Sequence, residues 1–186
     1  MNIKQYLSQL KISGKERNIP NISNSTANFI LTLLEKFSVK NMLEIGCANG
    51  YSSLYWANFL NTSINNGKLH IIDVSQPIFH EAFEHLYNCK LHLNVIGYLG
   101  NALEILPNFQ HKIFDCIFID AQKKYTADFV KLSLPLLQEN GLLIIDDVIK
   151  FKYKMRGLFE YLDNLNIQYN IEKTDIDDGI LWAIIK

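Results

Sequence analysis

Three aspartates at the ends of two apolar runs are the first residues whose spacing suggests chemistry. Asp120 follows "FDCIFI", and Asp146 and Asp147 follow "GLLII". Short apolar runs of this kind are typical of buried parallel strands, so the three carboxylates are expected to project from neighbouring strand ends. Carboxylate oxygens suit a hard divalent cation such as Mg2+, which acts as a Lewis acid and a template. The alternative is that each aspartate only caps the next helix or faces solvent.

A second candidate site begins in "MLEIGCANGYS", residues 42–52. Gly46 and Gly50 follow the apolar run, and glycines at such a point allow the backbone to approach a ligand closely. A plain strand-to-helix turn would use the same residues. Asp73 ends the next apolar run, "KLHIID", where a carboxylate can accept both hydroxyls of a ribose. The pair of features predicts a nucleoside ligand.

The glycine turn also indicates which nucleoside. A dinucleotide fingerprint needs glycines at 46, 48 and 51, but Ala48 and Tyr51 stand at two of these positions, which disfavours NAD. Glu44, just before the turn, would repel a pyrophosphate and suits a cationic group. A positively charged nucleoside points to S-adenosylmethionine (SAM).

The elements that must hold these residues alternate along the chain. Apolar runs separated by helical patterns predict an α/β fold, a doubly wound and mostly parallel seven-stranded sheet with helices on both faces. "TADFVKLSLPLLQEN" predicts a helix over 126–140 that ends at Gly141. "DG" at 178–179 predicts the tight turn of a C-terminal antiparallel hairpin. Residues 11–23 predict a polar arm that lies over another part of the molecule.

Composition narrows the class of protein. The net charge of -1 gives no electrostatic footprint for DNA or for an anionic membrane. Cysteines at 47, 89 and 116 are odd in number and widely spaced, which predicts free thiols. No apolar run has the length of a signal peptide or a membrane span, so a cytoplasmic location is expected. We expect one domain over 1–186, with an N-terminal helix and arm over 1–23.

Five motifs in order carry a family resemblance: "LEIGCANGYSSLYWA", "IID", "GNALEILP", "FDCIFIDAQKKY" and "NGLLIIDDV". They resemble those of the class I SAM-dependent methyltransferases, which have a Rossmann-like fold. More narrowly, the chain is similar over about residues 17–186 to the metal-dependent O-methyltransferases of the catechol and caffeoyl-CoA type. The resemblance implies methyl transfer from SAM to a hydroxyl of a small, catechol-like or aromatic acceptor, assisted by a divalent metal. Homodimers are frequent in the family.

The resemblance also implies roles for single residues. The cofactor would be bound by residues at the glycine turn, at the ends of the strands and beside the adenine: Glu44, Gly46, Gly50, Tyr51, Ser52, Asp73, Asn101, Ala102 and Asp120. The metal would be held by Asp120, Asp146 and Asp147, although the family has asparagine at the last position. Catalysis would depend on Asp120 and Lys123, with Lys124 as the alternative lysine. Asn101 stands where the family has aspartate and would still offer an amide oxygen.

Two other functions remain open. Bacterial relatives methylate a hydroxyl on a tRNA wobble base, and "KFKYKMR" at 150–156 alternates basic with apolar or aromatic residues, as an RNA or anion contact would. The same segment also fits a solvated loop and helix start. The chain could instead be a catalytically silent SAM-binding protein that serves as an interaction module.

Overall fold

Seven β-strands and seven α-helices alternate among the residues described by the computed structural model, which are 3–63 and 67–186. The strands are β1 (Asn41–Ile45), β2 (Lys68–Asp73), β3 (Val95–Leu99), β4 (Phe114–Ile119), β5 (Leu137–Ile145), β6 (Tyr169–Glu172) and β7 (Ile180–Ile185). The helices are α1 (Ile3–Glu16), α2 (Asn24–Lys36), α3 (Tyr51–Thr62), α4 (Gln76–Asn88), α5 (Ala102–Ile105), α6 (Thr126–Ser133) and α7 (Leu158–Asn164). No helix in these two ranges is long and apolar enough to cross a membrane.

All seven strands form one sheet in the order β3-β2-β1-β4-β5-β7-β6. The first five strands are parallel, whereas β7 runs antiparallel to both β5 and β6. The strand order reverses between β1 and β4, which is the switch point where such sheets bind ligands. The predicted doubly wound fold with a C-terminal antiparallel pair is confirmed. The ends of β1, β2, β4 and β5 therefore lie along one edge of the sheet.

Each face of the sheet has its own hydrophobic core, because alternate side chains of a strand point to opposite faces. Met42 of β1 belongs to the core under helices α1 to α4. Leu43 and Ile45 belong to the core under α5 to α7. Glu44 shares the face of Met42, which is the face that α3 covers.

Three details of the predicted elements were wrong. Helix α6 ends at Ser133, because Pro135 lies in a 3-10 turn (Leu134–Leu136), and β5 then runs through Gly141. The tight turn at 178–179 is absent, since the connection between β6 and β7 covers residues 173–179. The arm is shorter than predicted, because α1 continues through Gly14 to Glu16. Residues 1–2 of the expected N-terminal helix lie outside the described residues.

Candidate active site

The glycine turn after β1 is ordered by the carboxylate that ends β2. Asp73 Oδ2 accepts hydrogen bonds from the amides of Cys47 (3.1 Å) and Ala48 (3.0 Å), and its Oδ1 accepts one from the amide of Ser75 (2.9 Å). Gly46 has φ +91°, and a side chain on it would overlap the backbone carbonyl of Asp120. Only glycine fits here, so the turn passes against the end of β4.

A cavity of about 380 Å³ opens beside this turn. Of the predicted cofactor residues, its lining includes Gly46, Asp73, Asn101, Ala102 and Asp120. The remaining lining is largely apolar: Ile45, Ala48, Ile72, Val74, Gly100, Ala121, Gln122, Tyr125 and Phe129. The predicted carboxylate therefore lies at the edge of an apolar slot, as a nucleoside requires.

Asn101 has a structural role as well as a position in this wall. Its Oδ1 accepts a hydrogen bond from the amide of Leu103 (3.1 Å) and so caps α5. Its Nδ2 donates to Glu104 Oε1 at 3.4 Å. The amide oxygen that the sequence predicted for adenine already has one donor, and its second lone pair is the one left for a ligand.

A second cavity, of about 420 Å³, adjoins the first at Gly46 and Asp120. Its lining contains the predicted charged cluster together with Ser52. The rest comes from the arm and from loops at the same edge of the sheet: Pro20, Asn21, Ile22, Cys47, Ala48, Ala121, Gln122, Phe151 and Lys154. A ligand in the first cavity would therefore meet a ligand in the second at the end of β4.

Lys123 is held between two of the predicted metal ligands. Its Nζ lies 2.6 Å from Asp120 Oδ1 and 2.8 Å from Asp147 Oδ2. Burial lowers the pKa of Lys123, but the two aspartates outweigh burial and hold it above its ordinary value. Lys124 lines neither cavity, and its Nζ lies 4.5 Å from the centre of the Tyr125 ring. Of the two lysines that the sequence left open, Lys123 is the one in the site.

Asp146 is the most buried of the three carboxylates, with 7% of its surface exposed. Its Oδ1 accepts a hydrogen bond from the amide of Asp147 at 2.9 Å. Burial, followed by the charges of Asp120 and Asp147, raises the pKa of Asp146 well above its ordinary value. The cluster is therefore short of positive charge, even with Lys123 inside it.

The donor set of this cluster fits a hard divalent cation. Asp120 and Asp147 already converge on one cation, the Lys123 ammonium, and Asp146 adds a buried carboxylate to the same cavity. As the side chains stand, no three His, Cys, Asp or Glu residues of the described ranges are arranged as a metal centre. A metal bound by Asp120 and Asp147 would compete with the Lys123 ammonium for these two carboxylates.

Three of the predicted cofactor residues line neither cavity. Glu44 is fully buried and accepts hydrogen bonds from Ser53 Oγ and from Trp56 Nε1 (3.1 Å) of α3. Burial raises the pKa of Glu44 to about 7 against the opposing effect of these donors. Gly50 caps the N-terminus of α3 in a left-handed conformation, and Tyr51 donates a hydrogen bond to Asn24 Oδ1 (3.0 Å). These residues fix α3 to its surroundings, and their contact with the cofactor stays a prediction.

The arm contributes residues that the sequence did not assign. Asn21 lines the second cavity, and its buried Nδ2 has no hydrogen-bond partner in the described part of the chain. Pro20 and Ile22 flank it, so the polar arm does lie over the site. Tyr125, just before α6, and Phe129, on α6, close the first cavity. Apolar residues at helical spacing occur both in cavity walls and in hydrophobic cores, so the sequence did not identify these two as site residues.

The fold is that of a Rossmann-like α/β protein, a class in which nucleoside cofactors bind at the switch point of the sheet, and the first cavity lies at this point. The sequence profile of the O-methyltransferase family matches residues 2–155. The chain belongs to this family, as the sequence motifs predicted.

Two relatives show how far the likeness extends. A catechol O-methyltransferase from Niastella koreensis is 29% identical over 132 residues, which cover 69% of this chain and 58% of that protein. Caffeoyl-CoA O-methyltransferase 2 from Petunia hybrida is 27% identical over 137 residues, or 71% of this chain and 55% of that protein. The chain thus spans little more than half the length of these two relatives.

A solved structure supports the fold. The crystal structure of the O-methyltransferase TomG from Streptomyces achromogenes, involved in tomaymycin synthesis and in complex with SAM, aligns with a TM-score of 0.82. The alignment covers 97% of this chain and 90% of TomG at 21% identity, and it therefore speaks for the fold alone.

Proposed function

We propose that this protein transfers a methyl group from SAM to a hydroxyl of a small hydroxylated aromatic acceptor, with help from a divalent cation such as Mg2+. The observation that supports this most is the junction of the two cavities at Asp120 and Gly46. SAM would lie in the first cavity, with its ribose at Asp73 and its adenine near Ala102. The acceptor would lie in the second cavity, beside the charged cluster.

The cation would be held by Asp120, Asp146 and Asp147. When bound, it supplies positive charge that favours the ionised form of an acceptor hydroxyl. SAM carries its own activating charge as a sulfonium, so the chain's remaining task is to provide and orient the oxygen nucleophile.

Lys123 is the residue suited to move the hydroxyl proton. In its present position it is a protonated ammonium between two aspartates and cannot accept a proton. If Asp120 and Asp147 turn to another cation, burial is no longer offset, and the pKa of Lys123 falls. Its Nζ could then take the proton from the acceptor.

Turnover with labelled SAM tests the proposal. Wild-type protein should methylate a dihydroxybenzene in the presence of Mg2+, and excess chelator should reduce the rate by at least about a hundredfold, because the ionised hydroxyl loses its stabilising charge. Asp120→Asn should show the same low rate with Mg2+ present. Asp128→Asn, on the exposed face of α6, is the matched control. Full turnover in chelator would refute the metal requirement, and SAM binding without transfer to any acceptor would support a silent SAM-binding protein.

RNA is the second candidate acceptor, and the exposed ring of Tyr153 favours it. Tyr153 is 67% exposed and lies between Lys152 and Lys154 in the chain, as expected of a surface that stacks a base and contacts phosphate. The same assay with tRNA distinguishes the two candidates, because transfer to RNA should fall steeply with salt, whereas transfer to a small neutral acceptor should not.

A further inference from the structure

Phe151 and Lys154 form an aromatic and cationic part of the second cavity's wall. The Lys154 Nζ lies 4.8 Å from the centre of the Phe151 ring, so the two side chains contact each other. Among the residues that the structure describes, Lys154 forms no ion pair with a carboxylate. The cavity thus contains a cation whose charge no carboxylate of the described residues neutralises.

The neighbouring lysines of the same segment make their contacts with residues outside this cavity. Lys150 Nζ lies 3.2 Å from Asp177 Oδ2, and Lys152 Nζ lies 4.9 Å from the centre of the Phe159 ring. Neither residue lines the cavity. The other cavity lysine, Lys123, is shared by Asp120 and Asp147. Lys154 is therefore the cavity cation available to a ligand.

The charges of the cavity also determine the orientation of a charged acceptor within it. An anionic group close to Asp120, Asp146 and Asp147 would be repelled, since like charges a few Å apart interact unfavourably in a partly buried site. The same group beside Lys154 would be attracted. Ring hydroxyls, which are neutral until they react, have no such conflict with the aspartates.

We propose that the acceptor is an acidic aromatic compound, with its hydroxyls at the Asp120 end of the cavity and a carboxylate at Lys154. Phe151 contacts the ring, and Lys154 selects acceptors that carry the negative group. This inference rests on the proposed function, because it names the substrate class of the same site.

The test compares catechol with 3,4-dihydroxybenzoate, which carries an added carboxylate on the same dihydroxybenzene ring. The measured quantity is the ratio of kcat/KM for the acid to kcat/KM for catechol. Lys154→Met retains an unbranched side chain but removes the charge, and it should lower this ratio about five- to tenfold, chiefly through KM for the acid. Lys152→Met removes a charge from the same segment outside the cavity and should leave the ratio within about twofold of wild type.

Two results would overturn the inference. One is an unchanged ratio in Lys154→Met, and the other is an equal fall in Lys152→Met, which would indicate a general effect of net charge. If neither acceptor is methylated, the proposed function fails, and calorimetric binding of the two compounds to the protein with S-adenosylhomocysteine decides the inference separately. The inference then requires that wild type binds the acid more tightly than catechol and that Lys154→Met does not. Equal affinities of wild type for the two compounds would refute the inference.

Discussion

The Lys123 ammonium links the two loops that carry the predicted metal ligands. Its contacts with Asp120 and Asp147 are both shorter than 3 Å, and only 14% of its side chain is exposed. A cation in this position competes with any divalent ion for the same carboxylates. Lys123 is thus both the candidate base and a competitor of the metal for its ligands.

This competition predicts that Lys123→Met binds Mg2+ about tenfold more tightly than wild type, or about 1.4 kcal/mol, while methyl transfer becomes slower. The affinity is measured by titration calorimetry. Lys124→Met is the control, since Lys124 lines neither cavity. Equal or weaker Mg2+ binding in Lys123→Met would contradict the competition.

The loop after β5 is fixed by the connection between β6 and β7. Asp178 is 8% exposed, and its Oδ1 accepts hydrogen bonds from the amides of Ile149 (3.2 Å), Lys150 (3.2 Å) and Gly179 (2.7 Å). Burial and the neighbouring Asp147 raise the pKa of Asp178 above its ordinary value. This carboxylate therefore connects the start of β7 to the loop that follows Asp147.

Asp178→Ala should therefore destabilise the fold by about 2–3 kcal/mol, because three amides lose their acceptor. Urea unfolding measures the change in free energy. Asp177→Ala is the matched control, because Asp177 is exposed and pairs only with Lys150 on the surface, and it should change stability by less than about 0.5 kcal/mol. Similar losses in both variants would show that the buried carboxylate has no special part in holding this loop.

Glu44 connects the centre of the sheet to α3, and its ionisation affects the whole molecule. Its pKa is about 7 in the folded protein, whereas the ordinary value of 4.5 applies to the unfolded chain. Between these values the folded protein holds a proton that the unfolded chain has released, so stability falls as the pH rises from about 4.5 to 7. The full loss is on the order of 3 kcal/mol.

Glu44→Gln should remove this part of the pH dependence, because the amide cannot ionise. The measurement is the free energy of unfolding of wild type and variant from pH 5 to pH 8. As the pH rises, the stability of the variant should increase relative to that of the wild type. Glu139→Gln, at an exposed position of β5, should follow the wild-type curve. Parallel curves for wild type and Glu44→Gln would refute the raised pKa.

The sheet, and the edge along which the candidate site lies, could be predicted from the sequence alone. Apolar runs that alternate with helical patterns can bury both faces of a parallel sheet, and the carboxyl ends of parallel strands meet at one edge. Asp73, Asp120 and Asp146 each come directly after such a run, so their common location followed from the pattern. Gly46 could likewise be recognised, because its position at a strand end requires a residue without a side chain.

The contact partners of these residues could not be predicted and became visible in the folded molecule. Strand alternation puts Glu44 on the face covered by α3, where Ser53 and Trp56 bind a carboxylate that the sequence had predicted for the cofactor. Local pattern also could not show that Lys123 would bridge Asp120 and Asp147, since the two aspartates belong to different loops. Such contacts depend on distances between strands that are far apart in the chain, and residue spacing carries no information about them.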